Sequence, residues 1–130
     1  MKKGFTLIEL VMVIAILGIL AAMILPRFID LSSQAKISAA KGALGAVRSA
    51  IAVAYASNAA NGITPLVPVS IYPSMFQDSR IPVEPFSTSS SVTFVADATA
   101  ITAGSGWAYD STNGRAWINS SAGTPAYTSY

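Results

Sequence analysis

The chain has little with which to do covalent chemistry. It contains neither histidine nor cysteine, so the usual proton shuttle, thiol nucleophile and soft metal ligand are missing. Its serines lack a base, and no glycine loop of the phosphate-cradling kind occurs. The carboxylates that remain are Glu9, Asp30, Asp78, Glu84, Asp97 and Asp110. The last four are scattered, without the clustered oxygen spacing of a calcium loop, so no catalytic residue, metal or other cofactor is expected. Glu9 stands apart. It interrupts an apolar run from Phe5 to Leu25, where an ionised carboxylate costs on the order of 2.5 to 3.5 kcal/mol at mid-membrane. An opposite charge must compensate it. A cut after Gly4 would free an amine at Phe5, able to serve Glu9 within the chain or from an identical neighbour. The second arrangement implies self-assembly.

The element that carries Glu9 has the length of a membrane span. From Phe5 to Leu25 a helix would extend roughly 31 Å, about one bilayer core, and Leu10 to Leu25 holds no charge. Lys2 and Lys3 precede the span, which predicts a cytoplasmic N-terminus and an extracytoplasmic body after Pro26. An ordinary secretory signal has a shorter core, no glutamate and a small-x-small cleavage site. Ala21-Ala22 before Met23-Ile24-Leu25 is a poor site of that kind. A plain single-pass anchor accounts for the length but leaves Glu9 and the Gly4-Phe5 junction unexplained.

Gly4-Phe5-Thr6-Leu7-Ile8-Glu9, preceded by Lys2-Lys3 and followed by the apolar run and Pro26, resembles the N-terminal signal of type IV prepilins and pseudopilins. The resemblance covers the N-terminal segment alone, but its residue order and spacing are specific. It implies cleavage after Gly4 by a prepilin peptidase, N-methylation of Phe5, and use of Glu9, with Thr6 beside it, in recruiting the subunit to a helical filament. It also implies that the stretch from Gly18 to Pro26 loses helical structure in the assembled state. The implied fold is α+β: a long N-terminal helix packed on a small C-terminal antiparallel sheet. Many pilins close a C-terminal loop with a disulfide, which this cysteine-free chain cannot do.

The remaining residues read as one extracytoplasmic domain, 27–130, after a leader (1–4) and a transmembrane and assembly helix (5–26). Of 130 residues, 52% are hydrophobic and 11% charged, which excludes a disordered tail. Two of the eight basic side chains lie in the leader, so the rest balance the six acidic ones. No polyanion partner follows, and nucleic-acid binding is not expected although Lys36, Lys41 and Arg48 share one segment.

Residues 27–62 continue the helix in amphipathic form. Ile37, Ala40, Leu44, Val47, Ile51 and Tyr55 make one stripe, and Asn61-Gly62 with Pro65 makes a stop. Pro26 lacks an amide donor and crowds the turn before it, so the spacing predicts a break near Ala22 rather than one rod of roughly 84 Å. Prolines 65, 68, 73, 82 and 85 predict an extended connector over 63–91, with Ser87 to Ser91 as a solvated turn.

Strands are predicted at 92–96, 100–103, 107–110 and 115–119. The last two form a hairpin that places Trp107, Tyr109, Ala116 and Ile118 on one face, against the helix stripe. Asp110, Arg115 and Trp117 share the other face, as a charge pair and a half-exposed indole suited to a subunit contact. Asn119-Ser120-Ser121 matches a glycosylation sequon but reads better as turn chemistry. Residues 120–130 form a hydroxyl- and tyrosine-rich tail, whose Tyr127 and Tyr130 suit packing and subunit contacts better than electron conduction.

The expectation from these residues is a structural subunit of a type IV pilus: no enzyme, resident in the inner membrane before assembly and in an extracellular filament of adhesion or motility afterwards. Its expected partners are copies of itself, the peptidase and the assembly machinery. The alternative is a pseudopilin of a type II secretion system, which builds a periplasmic piston.

Overall fold

A computed structural model describes residues 4–101 and 104–120. The chain divides into two compact units, one ending at Ala35 and the other beginning at Lys36. Helix α1 spans Leu7–Ala60, 54 residues with Pro26 inside it. In the single chain the backbone is helical from Gly18 through Pro26, and the loss of helix expected there belongs to the assembled state. A proline deletes one intrahelical hydrogen bond and crowds the carbonyl four residues back, yet leaves the turns on either side bonded. The flanking Leu, Met and Ala residues are strong helix formers.

The helix stops where Asn61-Gly62 predicted. Gly62 adopts φ +66°, in the left-handed region. Its amide donates to Ala59 O at 3.3 Å while that of Ile63 donates to Asn58 O at 2.9 Å. This pair of bonds is a Schellman closure, which satisfies carbonyls the helix would otherwise orphan.

In the second unit the hydrophobic core is built on the helix stripe. Ala40, Leu44, Val47 and Ile51 are buried together with Ile71, Trp107, Tyr109, Ala116 and Ile118, and Ile37 packs against them. Tyr55 departs from the expected stripe and is exposed. A period of 3.6 carries the covered face from Ile51 through Ala54 and Asn58, which are half-buried.

Among the described residues the sheet has three strands, β1 (Val92–Phe94), β2 (Trp107–Asp110) and β3 (Arg115–Ile118), in the order β1-β2-β3. It is mixed, where an all-antiparallel sheet was expected. Strands β2 and β3 are antiparallel, but β1 runs parallel to β2 with Val92 opposite Trp107. Parallel neighbours need a crossover of about a dozen residues, and residues 95–106 supply it. Of the strand expected at 100–103, the described residues are not extended in a sheet. Ala98–Ala100 forms a short 3-10 helix, Ile101 is not in a strand, and Thr102 and Ala103 lie outside the described residues. Asp97 drives the difference by accepting from the amides of Thr99 (2.7 Å) and Ala100 (3.1 Å), which favours a tight helical turn over extended chain.

The hairpin loop has four residues, Ser111 to Gly114, with Asp110 paired to Arg115 and Trp107 to Ile118. Two hydrogen bonds from the sheet's buried aromatics fasten the proline-rich connector. Trp107 Nε1 donates to Pro82 O at 2.7 Å, and Tyr109 OH donates to Pro68 O at 2.5 Å. Each lets an aromatic bury its ring while satisfying its polar end. Gly106 makes the approach between segments possible. It has φ +77°, and a Cβ there would collide with the Ser91 carbonyl, the acceptor of the Trp107 amide at 2.8 Å.

With no disulfide available, this packing carries the stability of the second unit. Leu44→Ala, at a site 2% exposed, is expected to cost about 2 to 5 kcal/mol. Urea denaturation of the detergent-solubilised chain, followed by tryptophan fluorescence, measures it.

Candidate functional site

The first helical turn is organised by Thr6 and Glu9. Thr6 lies just before Leu7, the first residue of α1, and occupies the N-cap; Glu9 is then the third helical residue. The Glu9 amide donates to Thr6 Oγ1 at 3.3 Å, and the Thr6 amide donates to Glu9 Oε2 at 2.8 Å. Thr6 Oγ1 also donates to Glu9 Oε2, at 2.9 Å. This is a capping box, in which side chains at the N-cap and third position satisfy each other's backbone amides. Sequence reading assigned Glu9 a compensating amine and missed this partner, although the pattern Thr6-x-x-Glu9 is its local signature. Both hydrogen bonds to the carboxylate go to Oε2, which leaves Oε1 free to accept from another group.

Around the cap, the apolar side chains are exposed. Phe5 is 92% exposed and Leu7 81%, and large hydrophobics remain exposed through Leu25 and on to Phe28. This first part of α1 is apolar and long enough to cross a membrane. Exposed apolar surface of this extent requires lipid or protein to cover it. Gly4 and Phe5 precede the helix in non-helical backbone and are exposed, so the bond between them is open to an enzyme. Gly18 and Pro26 lie further along the same apolar helix.

The other carboxylates serve local structure or stand alone. Glu84, one of the carboxylates scattered along the sequence, is fully buried. It accepts from the amides of Phe86 (2.8 Å) and Ser87 (2.7 Å) and from Ser87 Oγ (2.5 Å), and Ser87 Oγ in turn accepts from the Gly106 amide at 2.9 Å. No local pattern marks this network, because the Gly106 amide that completes it through Ser87 comes from later in the chain.

Asp97 caps the 3-10 turn, and its hydrogen bonds, led by that from the Thr99 hydroxyl, hold its pKa below the usual carboxylate value. Asp110 is buried beneath the hairpin loop. It accepts from Asn113 Nδ2 (2.8 Å), the Thr112 amide (2.8 Å) and the Asn113 amide (3.3 Å), which lower its pKa likewise. The Asp110 carboxylate therefore serves the turn rather than the charge pair expected with Arg115. Among the described residues no group of three His, Cys, Asp or Glu side chains could hold a metal ion.

Several surface expectations also change. Trp117 is 8% exposed, buried rather than half-exposed. Arg48 donates from Nε and Nη2 to Ala116 O, at 3.3 and 3.1 Å, so it binds the sheet edge instead of forming a basic patch with Lys36 and Lys41. Asn119 is 2% exposed and donates to Thr93 Oγ1 at 3.2 Å, which leaves no room for a glycan. Within the serine-rich turn the Ser91 amide donates to Ser89 Oγ at 3.2 Å, and Ser91 Oγ donates outward to Ser105 O at 2.9 Å. Tyr127 and Tyr130 lie outside the described residues.

A family pattern described as the prokaryotic N-terminal methylation motif matches residues 1–25. The chain is 56% identical over 52 residues to the major component of a narrow type IV pilus of Thermus thermophilus, covering 40% of this chain and 45% of that one. It is 46% identical over 50 residues to core protein G of the type II secretion system of Pseudomonas aeruginosa, covering 38% and 35% of the two chains. A fimbrial protein of Eikenella corrodens is 44% identical over 73 residues, 51% of this chain and 48% of that one. The chain thus spans less than half the length of these relatives. No solved structure matches it.

Because the folded-state pKa of Asp110 lies below the ordinary 3.8, its stabilisation is complete above that value and fades as pH falls through the depressed one. Asp110→Asn is expected to lower stability at pH 7 and to flatten the acid limb of a stability profile taken from pH 2 to pH 7. A profile parallel to the parent's would show that the carboxylate does not stabilise the turn.

Proposed function

We propose that the chain, which shares its N-terminal methylation motif with type IV pilins and a type II secretion core protein, is a structural subunit that polymerises through its N-terminal helix into a type IV pilus. The observation that carries this reading is the methylation motif over residues 1–25, set on a helix whose apolar side chains are exposed. Before assembly, the helix sits in the inner membrane with Lys2 and Lys3 on the cytoplasmic side. A prepilin peptidase cuts after Gly4 and the new terminal nitrogen of Phe5 is methylated. The helix then leaves the lipid and its apolar surface is reburied against helices of other copies, so the hydrophobic term that held it in the membrane is retained.

Glu9 has two tasks in this mechanism, one for each oxygen. Oε2 holds the Thr6 amide and starts the helix. Oε1 receives the Phe5 amine of a neighbouring copy, which neutralises a charge that would be costly to bury alone. Assembly also supplies a reason for Gly18 and Pro26. Their stretch is helical in the single chain and carries the weakest backbone ladder of the span, so it is where the filament core melts if helices must shift past one another.

The second reading is a pseudopilin of a type II secretion system, favoured by the likeness to core protein G. The N-terminal peptide mass separates the two readings. A peptide beginning at methylated Phe5 and abundant in sheared surface material supports a pilus. The same peptide confined to washed membranes supports a pseudopilin, and an intact Met1 start in both fractions overturns both. Glu9→Gln separates charge from capping, since glutamine preserves the capping box without the charge. Both Glu9→Gln and Glu9→Ala are expected to insert normally but to depress filament yield. Normal yield from Glu9→Gln would show that Glu9 acts only as a cap.

A further inference from the structure

We propose that Asn61 is a site of covalent self-modification, converted to aspartate and isoaspartate through a succinimide with Gly62, and that the fold protects the same dipeptide at Asn113-Gly114. The sequence holds two Asn-Gly dipeptides. Asparagine is among the thermally labile residues, and a following glycine, lacking a Cβ, lets its own backbone nitrogen close on the asparagine side chain. That nitrogen must first be released from its hydrogen bond. At Gly62 release is easy. Its amide reaches Ala59 O at 3.3 Å, at the end of a helix, where backbone ladders fray. Asn61 and Gly62 are both exposed, and nothing lies within 4 Å of the place a Gly62 Cβ would take. The Asn61 carboxamide is held through Nδ2 by Ser57, whose backbone oxygen accepts at 2.8 Å and whose Oγ accepts at 3.5 Å, which leaves the side-chain carbonyl carbon open to attack.

At the hairpin the same groups are clamped. The Gly114 amide donates to Asp110 O at 2.9 Å, and the Asp110 carboxylate accepts from both Asn113 nitrogens, Nδ2 at 2.8 Å and the amide at 3.3 Å. Asp110 is buried, and a Cβ on Gly114 would meet Val67 and Ile51, so freeing this glycine means opening the hairpin rather than the last turn of a helix. The reaction at Asn61 needs only water. The Gly62 nitrogen forms a bond to Asn61 Cγ and loses its proton; the Cγ–Nδ2 bond breaks, and the departing nitrogen takes its electron pair and a proton to leave as ammonia. Water then opens the succinimide at either carbonyl, giving aspartate or isoaspartate. Basic and acidic side chains balance once Lys2 and Lys3 are set aside, so each conversion leaves the chain net negative. The new carboxylate stands at the negative end of the helix dipole, and isoaspartate lengthens the backbone inside the closure formed by the Gly62 and Ile63 amides. The stop of α1 therefore gains charge and loosens as the chain ages.

The test is peptide mass mapping of the detergent-solubilised full chain after incubation in warm, mildly alkaline buffer, both folded and in guanidinium chloride. Trypsin places the two sites in different peptides, Ser49 to Arg80 and Ile81 to Arg115. In the folded chain, Asn61 is expected to show the amide-to-acid mass change at least about tenfold faster than Asn113, the ratio of local to hairpin opening. In guanidinium chloride the two rates are expected to converge. Comparable rates in the folded chain, or an Asn61 that keeps its amide there while the denatured chain converts, overturns the proposal. Methyl transfer by a protein isoaspartyl methyltransferase reads the ring-opened product directly. Label is expected on the Ser49 to Arg80 peptide of the aged chain, and its absence would overturn the succinimide route. Asp110→Ala, which removes the clamp, is expected to accelerate conversion at Asn113. An unchanged rate at Asn113 in that variant would overturn the protective role given to the hairpin.

Discussion

An apolar helix whose side chains are exposed must be covered from outside itself, and the rest of this protein is arranged around that requirement. The first part of α1 exposes its leucines, isoleucines and phenylalanines, a surface that is stable in lipid or against other apolar helices but not in water. A charge in such a helix is tolerable only where it has partners. Glu9 meets that condition at the first turn, where the backbone has amides to satisfy and the helix dipole favours an anion. Its placement therefore costs the span little and leaves one carboxylate oxygen for a second partner. A glutamate two turns later would have had neither advantage.

The second unit solves a different problem, how to hold a small sheet without disulfides. Its solution is to have each buried aromatic do two things. Trp107 and Tyr109 fill the space over Leu44, Val47 and Ile51, and each also donates to a carbonyl of the proline-rich connector. That connector has few backbone partners of its own, so these bonds define its course. Glu84 and Ser87 complete the arrangement from the other direction, joining the connector to Gly106 at the start of β2. Even the sheet edge is managed, by an arginine from the helix that occupies a carbonyl a neighbouring strand would need.

Regularities of short range were legible in the chain itself. The apolar run, the lone Glu9, the Asn61-Gly62 stop and the alternation that places Trp107, Tyr109, Ala116 and Ile118 on one face depend only on spacing, and spacing is visible in a sequence. The capping box was equally local, and Thr6-x-x-Glu9 shows that a readable signal can be passed over when a more conspicuous reading of the same residue is available. The direction of β1 was not readable. Parallel or antiparallel pairing is decided by how β1 meets β2, more than a dozen residues later, and no local pattern in β1 carries that information.

The sequence alone determined that this protein has a membrane-length helix with one carboxylate at its start, an amphipathic continuation and a terminal hairpin. Each is set by the chemistry of residues a few positions apart. Only the tertiary structure decided that Glu84 and Trp117 are buried, that Asp110 serves a turn, and that Arg48 lies at the edge of β3 beside Arg115. Burial and charge pairing depend on which distant segments arrive in the same place, and that is settled by packing the whole chain at once.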